Sequence, residues 1–301
     1  TILVFGGDFL VKGAVGVARK FNISPLIIGL TIIAAGTSAP EVITSCIASI
    51  KGNTDIAICN IIGSNLFNIL GVLGISTFLA TSKISKSIIK SEYILLLIFT
   101  LTFMGLTRDQ EIHIFDASIC LSLLICFIGF TVYKAKKTKL EPDEEELETY
   151  GNFTYTVLAL FGGFVFLIVG SELALKAGVN LGKIAGLSDR IIGLTIISVG
   201  TGLPELAASA MAAIRKQGDL AFSNIIGSNI INTLGIPAAA GFFNKAQINP
   251  SIINFDSPFL LIATLAILPL AYIGKFTFGK VQGLLLMAMY VGYITYLSVN
   301  I

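Results

Sequence analysis

Shifted by 164 residues, the stretch Gly29–Gly71 falls on Gly193–Gly235 without a gap, and 23 of the 43 positions are identical. Gly6, Ser24, Ile27 and Ile28 match Gly170, Ser188, Ile191 and Ile192 at the same offset. The repeated unit is strongly apolar. The chain is 54% hydrophobic and 13% charged, with mean hydropathy +0.88, where a soluble domain carries roughly 25% charged residues. Apolar runs near the ~20 residues needed to cross a bilayer read as ten helices. They cover roughly 1–19, 24–50, 55–80, 91–107, 114–134, 153–180, 188–214, 219–243, 257–274 and 278–299. Each copy then has five spans. An odd number forces the two copies into opposite orientations. The expected fold is an all-α membrane protein of ten transmembrane helices in two inverted-topology repeats: 1–133, a linker 134–152, and 153–301. Inverted repeats are a transporter signature, and paired Gly/Pro-interrupted spans point to the substrate site.

Charge supports this arrangement. With the N-terminus outside, thirteen Lys or Arg residues fall in inside segments and five in outside segments. The positive-inside rule then places both termini outside and the linker in the cytoplasm, as expected for the cell membrane. Counting from Asn152, the second copy has 18 residues before Gly170, while the first has five before Gly6. About a dozen residues of the first span are therefore expected to precede Thr1. No signal-peptide cleavage pattern appears. The linker carries a basic cluster followed by Glu141, Asp143, Glu144, Glu145, Glu146 and Glu148, and reads as a solvated hinge.

Much is excluded. Cys46, Cys59, Cys120 and Cys126 show no metal-ligand spacing and read as buried small hydrophobes. The single histidine, His113, sits among Arg108, Asp109, Glu111 and Asp116, a solvated loop composition. With one His and no nucleophile motif, an enzyme is not expected. A net charge of +2 argues for no acidic partner. Neither a nucleic-acid partner nor an obligate protein partner is evident, and no resident cofactor is expected.

Chemistry concentrates in Gly36-Thr-Ser-Ala-Pro-Glu41 and Gly200-Thr-Gly-Leu-Pro-Glu205. An acid at membrane depth costs about 2.5 kcal/mol or more, and is by default a functional-site candidate. Pro40 and Pro204 lack an N–H and clash with the carbonyls of Gly36 and Gly200, so each helix is expected to break and free carbonyl oxygens. Irregular backbone at that depth is tolerated where it is buried in protein or lines a cavity. Carboxylate, hydroxyls and carbonyls form a hard oxygen site suited to Ca²⁺ or Na⁺. Thr37, Glu41 and Ser45 are spaced by four, as are Thr201, Glu205 and Ser209, which puts each set on one helix face. Asn60, Ser64 and Asn68 form a second stripe, repeated by Asn224, Ser228 and Asn232. For Asn60, Asn224, Ser45 and Ser209, gluing helices together is an equal alternative. Asp55 and Asp219 read as N-caps. Asp8/Lys12 and Glu172/Lys176 read as i,i+4 ion pairs.

The paired motifs, each followed by Asn-Ile-Ile-Gly-Ser-Asn, resemble the two α-repeats of the calcium/cation antiporter superfamily. The sodium/calcium exchanger branch fits best, and the resemblance covers the whole chain. It implies an ion site between spans 2, 3, 7 and 8, and alternating access by sliding of spans 1 and 6. It also implies ligands from Thr37, Ser38, Glu41, Ser64 and Asn68, and from Thr201, Glu205, Ser228 and Asn232. Gly202 departs from the pattern by removing a hydroxyl that many relatives keep. Asn232 stands where K⁺-dependent relatives carry an aspartate. The expected function is Na⁺/Ca²⁺ antiport without K⁺, with the lipid bilayer as its surroundings. A proton-coupled Ca²⁺ antiporter on the same fold is the alternative. A passive cation channel or an ion sensor is a more distant one.

Overall fold

The computed structural model describes residues 1–52, 54–137, 151–186, 198–243 and 246–300. In chain order its helices begin with α1 (Ile2–Phe21), α2 (Pro25–Thr37) and α3 (Ala39–Ile50). Next come α4 (Ala57–Leu79), α5 (Lys86–Leu106), α6 (Ile114–Lys137) and α7 (Phe153–Ile184). The second half adds α8 (Ser198–Thr201), α9 (Leu203–Ile214), α10 (Gly218–Phe243), α11 (Ile252–Ile273) and α12 (Lys280–Asn300). Two short antiparallel ladders tie loops together. Ser82–Lys83 pairs with Thr277–Phe278, and Glu111–Ile112 with Ala246–Gln247.

The prolines set the local geometry. α2 and α3 meet at Ser38 and bend by 44°, and α8 and α9 meet at Gly202. Pro40 and Pro204 then sit in the first turn of the following helix, where a missing N–H is harmless. Two wider π turns lie nearby, Gly29–Ile33 in α2 and Phe67–Val72 in α4. Such turns collect at functional sites, and the second carries Asn68.

Among the described residues, seven helices are long and apolar enough to cross a membrane, or eight with α2–α3 taken as one broken span. That is fewer than the ten expected. α1 carries Asp8, Lys12, Arg19 and Lys20, too many charges to qualify on composition. Much of the expected seventh span, and most of the linker, lie outside the described residues. α4 and α10 are the inner helices: 78% of each span is buried, against 22–44% for the other full-length spans. Their Ile58, Leu66, Ile226 and Ile230 share a core with Tyr93 of α5. A second core joins α1 to α7 and α9 through Leu10, Val11, Leu160, Leu167 and Ala208.

Two sequence readings need correction. Among the cysteines only Cys120 is buried; Cys46 is intermediate, and Cys59 and Cys126 are exposed. In a membrane protein an apolar span faces lipid as readily as protein, so an apolar context does not imply burial. Asp219 does not act as a simple N-cap either. It lies within the first turn of α10 and accepts the Ser85 N–H across 2.7 Å. The side chain of Asp55 lies outside the described residues. His113 meets its expectation as a half-exposed residue before α6, 3.0 Å from the Glu111 carboxylate.

α2 crosses α10 closely because each offers a glycine. A methyl on Gly227 would stand 2.7 Å from both the Leu30 carbonyl oxygen and the Ala34 Cβ, and one on Gly29 would stand 2.1 Å from Ser223 Oγ. Gly227→Ala is therefore expected to destabilise the protein by about 1–3 kcal/mol. Thermal unfolding in detergent measures it. Gly105→Ala is the control, since a methyl there meets nothing within 4 Å; an equal loss in both variants would contradict the crossing argument.

Candidate ion-binding site

The two broken helices bring their motifs together. Ser38, at the break of α2–α3, donates to Glu205 Oε1 at 3.1 Å. Thr37 Oγ1 lies 3.5 Å from both Asn224 Oδ1 and Ser228 Oγ on α10, and it donates to the Ile33 carbonyl at 3.1 Å. Glu41 and Glu205 are near enough for their charges to interact. Both are essentially inaccessible to solvent, at 1% and 0% exposure.

Around this centre the halves repeat one bond. Asn60 Nδ2 donates to Ser45 Oγ at 2.8 Å, and Asn224 Nδ2 donates to Ser209 Oγ at 3.0 Å. Asn60 also donates to the Glu41 carbonyl at 3.2 Å and accepts from Ser64 at 3.2 Å. The gluing role weighed for these four residues is thus what the hydrogen bonds show: they lock α3 to α4 and α9 to α10. Asn68 donates to Asn229 Oδ1 at 3.4 Å. Asn232 is fully buried. Thr201 ends α8 beside Gly202, half-buried.

The unbonded atoms are more informative. Glu41 Oε2, Glu205 Oε2, Asn65 Oδ1 and Asn232 Oδ1 are buried and make no hydrogen bond. A buried polar atom without a partner costs about 1–3 kcal/mol, more when charged. Four such oxygens, on the two inner helices and the two broken ones, are of the hard donor type; the amide nitrogens of Asn229 and Asn232 are unbonded as well. Among the described residues no cluster of three or more His, Cys, Asp or Glu occurs.

Gly202 has a steric reason. A Cβ there would stand 2.5 Å from Phe67 Cδ1. The Phe67 ring rests against Tyr290 with centroids 5.6 Å apart, so it holds the space that a side chain at 202 would need. The expected free carbonyl of Gly200 is also engaged, accepting from Ser171 of α7 at 2.7 Å. The sequence reading missed three residues, Asn65, Asn229 and Thr233; Asn65 donates to Thr233 at 2.7 Å between α4 and α10. Both asparagines end the repeated Asn-Ile-Ile-Gly-Ser-Asn, so their identity in the two copies was an available signal. Thr233 corresponds to Ile69 and carried none.

The ion pairs near the site are lopsided. Asp8 of α1 pairs with Lys12 at 3.0 Å and with Arg215, just past α9, at 2.5 Å. A methyl on Gly7 would stand 2.7 Å from the Ala207 carbonyl oxygen, so α1 lies tightly on α9. The corresponding residues of the other copy are Glu172, Lys176, Lys51 and Ile43. Glu172 pairs with Lys176 at 3.0 Å in an exposed setting, Lys51 is exposed, and Ile43 is 58% exposed.

Comparison with known proteins identifies the family. A family profile described as sodium/calcium exchanger protein matches residues 1–133 and 155–299. The putative antiporter CaxA of Alkalimonas amylolytica is 36% identical over 97% of this chain and 94% of its own length. The sodium/calcium exchanger MaX1 of Methanosarcina acetivorans is 27% identical over 98% of this chain and 95% of its own. The solved structure of the sodium-calcium exchanger NCX_Mj superimposes with a TM-score of 0.84 at 30% identity, covering 98% of this chain and 95% of that one. The chain is an integral membrane protein belonging to the sodium/calcium exchanger family, a family of transporters rather than enzymes.

Proposed function

We propose that this chain exchanges Na⁺ for Ca²⁺ by alternating access, without K⁺, through ten spans in two inverted halves. One observation carries the reading: two buried carboxylates, Glu41 and Glu205, each keep one oxygen without a hydrogen bond. Two negative charges balance one Ca²⁺ or two Na⁺. Thr37, Ser38, Ser64, Asn68, Thr201, Ser228 and Asn232 complete the proposed oxygen cage. Na⁺ and Ca²⁺ have similar radii, so mutually exclusive occupancy of one cage that opens to each side in turn is exchange. Asn68 and Asn232 are amides, so no further charge is available to hold K⁺ beside Ca²⁺, and uncompensated charge at membrane depth is costly. One observation favours proton coupling as a second reading. The Phe67 ring fills the place where a hydroxyl at 202 would help bind a Na⁺ next to Glu41, and a proton on that carboxylate balances charge as well.

The lopsided ion pairs fit alternating access. α1 closes on α9 with Asp8 on Arg215, while Glu172 and Lys51 stay apart. Exchange of the two arrangements would open one side and close the other, with Glu172 pairing Lys51 in the second state.

Two experiments follow. In vesicles, a Na⁺ gradient in choline medium should drive Ca²⁺ uptake with or without K⁺. Glu41→Gln and Glu205→Gln should each fall to near background while remaining folded. A wild-type protein inactive until K⁺ is added contradicts the charge argument, and Ca²⁺ flux driven by a pH jump in sodium-free buffer establishes the second reading. In a cysteine-free background, the pair Asp8→Cys/Arg215→Cys and the pair Lys51→Cys/Glu172→Cys should each cross-link and stop flux until reduced. Simultaneous cross-linking of both pairs in one molecule would rule out alternation.

A further inference from the structure

The two sides of the ion site differ at one place where the repeat should make them alike. Ser38, at the break of α2–α3, gives its hydroxyl to Glu205. The repeat puts Gly202 at the matching position toward Glu41. A Cβ on Gly202 would stand 2.5 Å from Phe67 Cδ1 and 2.7 Å from Cε1, but 3.8 Å from Cγ. The ring therefore turns its edge to that backbone, not its face. On its other side it fits over Gly71, one turn further along α4, where a Cβ would stand 2.6 Å from Cδ2. Tyr290 of α12 backs it, and the residue is buried. Phe67 is a wedge held between two glycines and a tyrosine.

The other half has no such wedge. Phe67 opens the π turn Phe67–Val72, whereas the matching residues 231–236 of α10 form ordinary α-helix. Ile231 stands in place of the ring. A methyl on Gly235, the counterpart of Gly71, would lie 3.9 Å from Ile231 Cγ2, an ordinary contact. The smaller side chain thus goes with the serine and the ring with the glycine. The two differences belong together, because a side chain at 202 needs the space that Phe67 holds.

This pairing bears on how many ions the site can carry. Glu41 and Glu205 supply two negative charges, and no basic residue pairs with either among the described residues. One Ca²⁺ or two Na⁺ neutralise them. A third Na⁺ would be in excess, and uncompensated charge at membrane depth is costly. It would need further oxygens, and beside residue 202 it meets the edge of an aromatic ring, which carries partial positive charge. We propose that Phe67 fixes the ion count of transport: it closes the Glu41 side to a further cation, so that two Na⁺ exchange for one Ca²⁺ and no net charge crosses the membrane. The inference rests on the Na⁺/Ca²⁺ exchange reading above and names the residue that sets its stoichiometry.

Proteoliposomes loaded with radiolabelled Na⁺ and diluted into choline medium with radiolabelled Ca²⁺ test it, with both fluxes counted and a membrane potential imposed by a lipophilic ion. The wild type should release two Na⁺ per Ca²⁺ taken up, at a rate insensitive to the potential. Phe67→Ile/Gly202→Ser copies the Ile231/Ser38 arrangement and should release three, with uptake that now responds to the potential. Phe67→Ile/Gly202→Ala gives the same room without the hydroxyl and should stay at two. Phe67→Leu/Gly202→Ser replaces the first variant if that one does not fold. Three Na⁺ per Ca²⁺ in the wild type, or potential-sensitive uptake, overturns the proposal. A ratio of two in a folded serine variant overturns the role of Phe67. Absence of any Na⁺-driven Ca²⁺ uptake would overturn the exchange reading itself, which a wild-type ratio of three would leave standing.

Discussion

Two carboxylates that repel each other, buried where water cannot reach them, are the constraint on which the rest of this structure depends. Glu41 and Glu205 interact electrostatically and are almost fully enclosed. Neither has a basic partner among the described residues, whose ion pairs involve Asp8, Glu92, Glu111 and Glu172 instead. The Ser38 hydroxyl supplies part of the compensation. What remains is negative charge and unbonded oxygen, and a cation is the natural complement. The helix breaks at Ser38 and Gly202 serve that end. They place each glutamate in the first turn of the helix that follows, where the positive end of the helix dipole favours a carboxylate.

Duplication builds the candidate site, and departures from duplication make its two sides unlike. The Asn60–Ser45 and Asn224–Ser209 bonds are the same bond made twice. By contrast, Ser38 has a hydroxyl for Glu205, while Gly202 has none for Glu41 and leaves its space to Phe67. The outer helices differ too, with α1 tight against α9 and the corresponding surface around Ile43 open. A sequence with exact internal symmetry would have no reason to treat its two sides differently.

Much of the site was legible from the sequence because its causes are local. A proline inside an apolar run cannot donate to the carbonyl four residues back, and the observed breaks fall at Ser38 and Gly202, whereas Pro237 and Pro269 sit inside continuous helices. An intramembrane glutamate must be enclosed, and both are. The illegible parts depend on which face of a helix meets which neighbour. Asn65 meets Thr233 across two helices, and nothing in the repeat marks Thr233. Asp219 accepts from the backbone of Ser85 in a neighbouring segment. Cys59 and Cys126 face outward, because hydropathy does not separate a lipid-facing position from a core position. Among the described residues seven or eight helices have the composition of a membrane span, because α1 carries several charges and part of the expected seventh span lies outside the described residues.

The central claim is that one oxygen cage, charged by Glu41 and Glu205, holds either Ca²⁺ or Na⁺ and never both. Equilibrium Ca²⁺ binding to the purified protein, titrated with Na⁺ in the wild type and in Glu205→Gln, tests it most directly. The account predicts one Ca²⁺ per chain in the wild type, complete displacement at saturating Na⁺, and loss of high-affinity binding in the variant. Ca²⁺ that stays bound at saturating Na⁺, or that binds Glu205→Gln as tightly as the wild type, would contradict it.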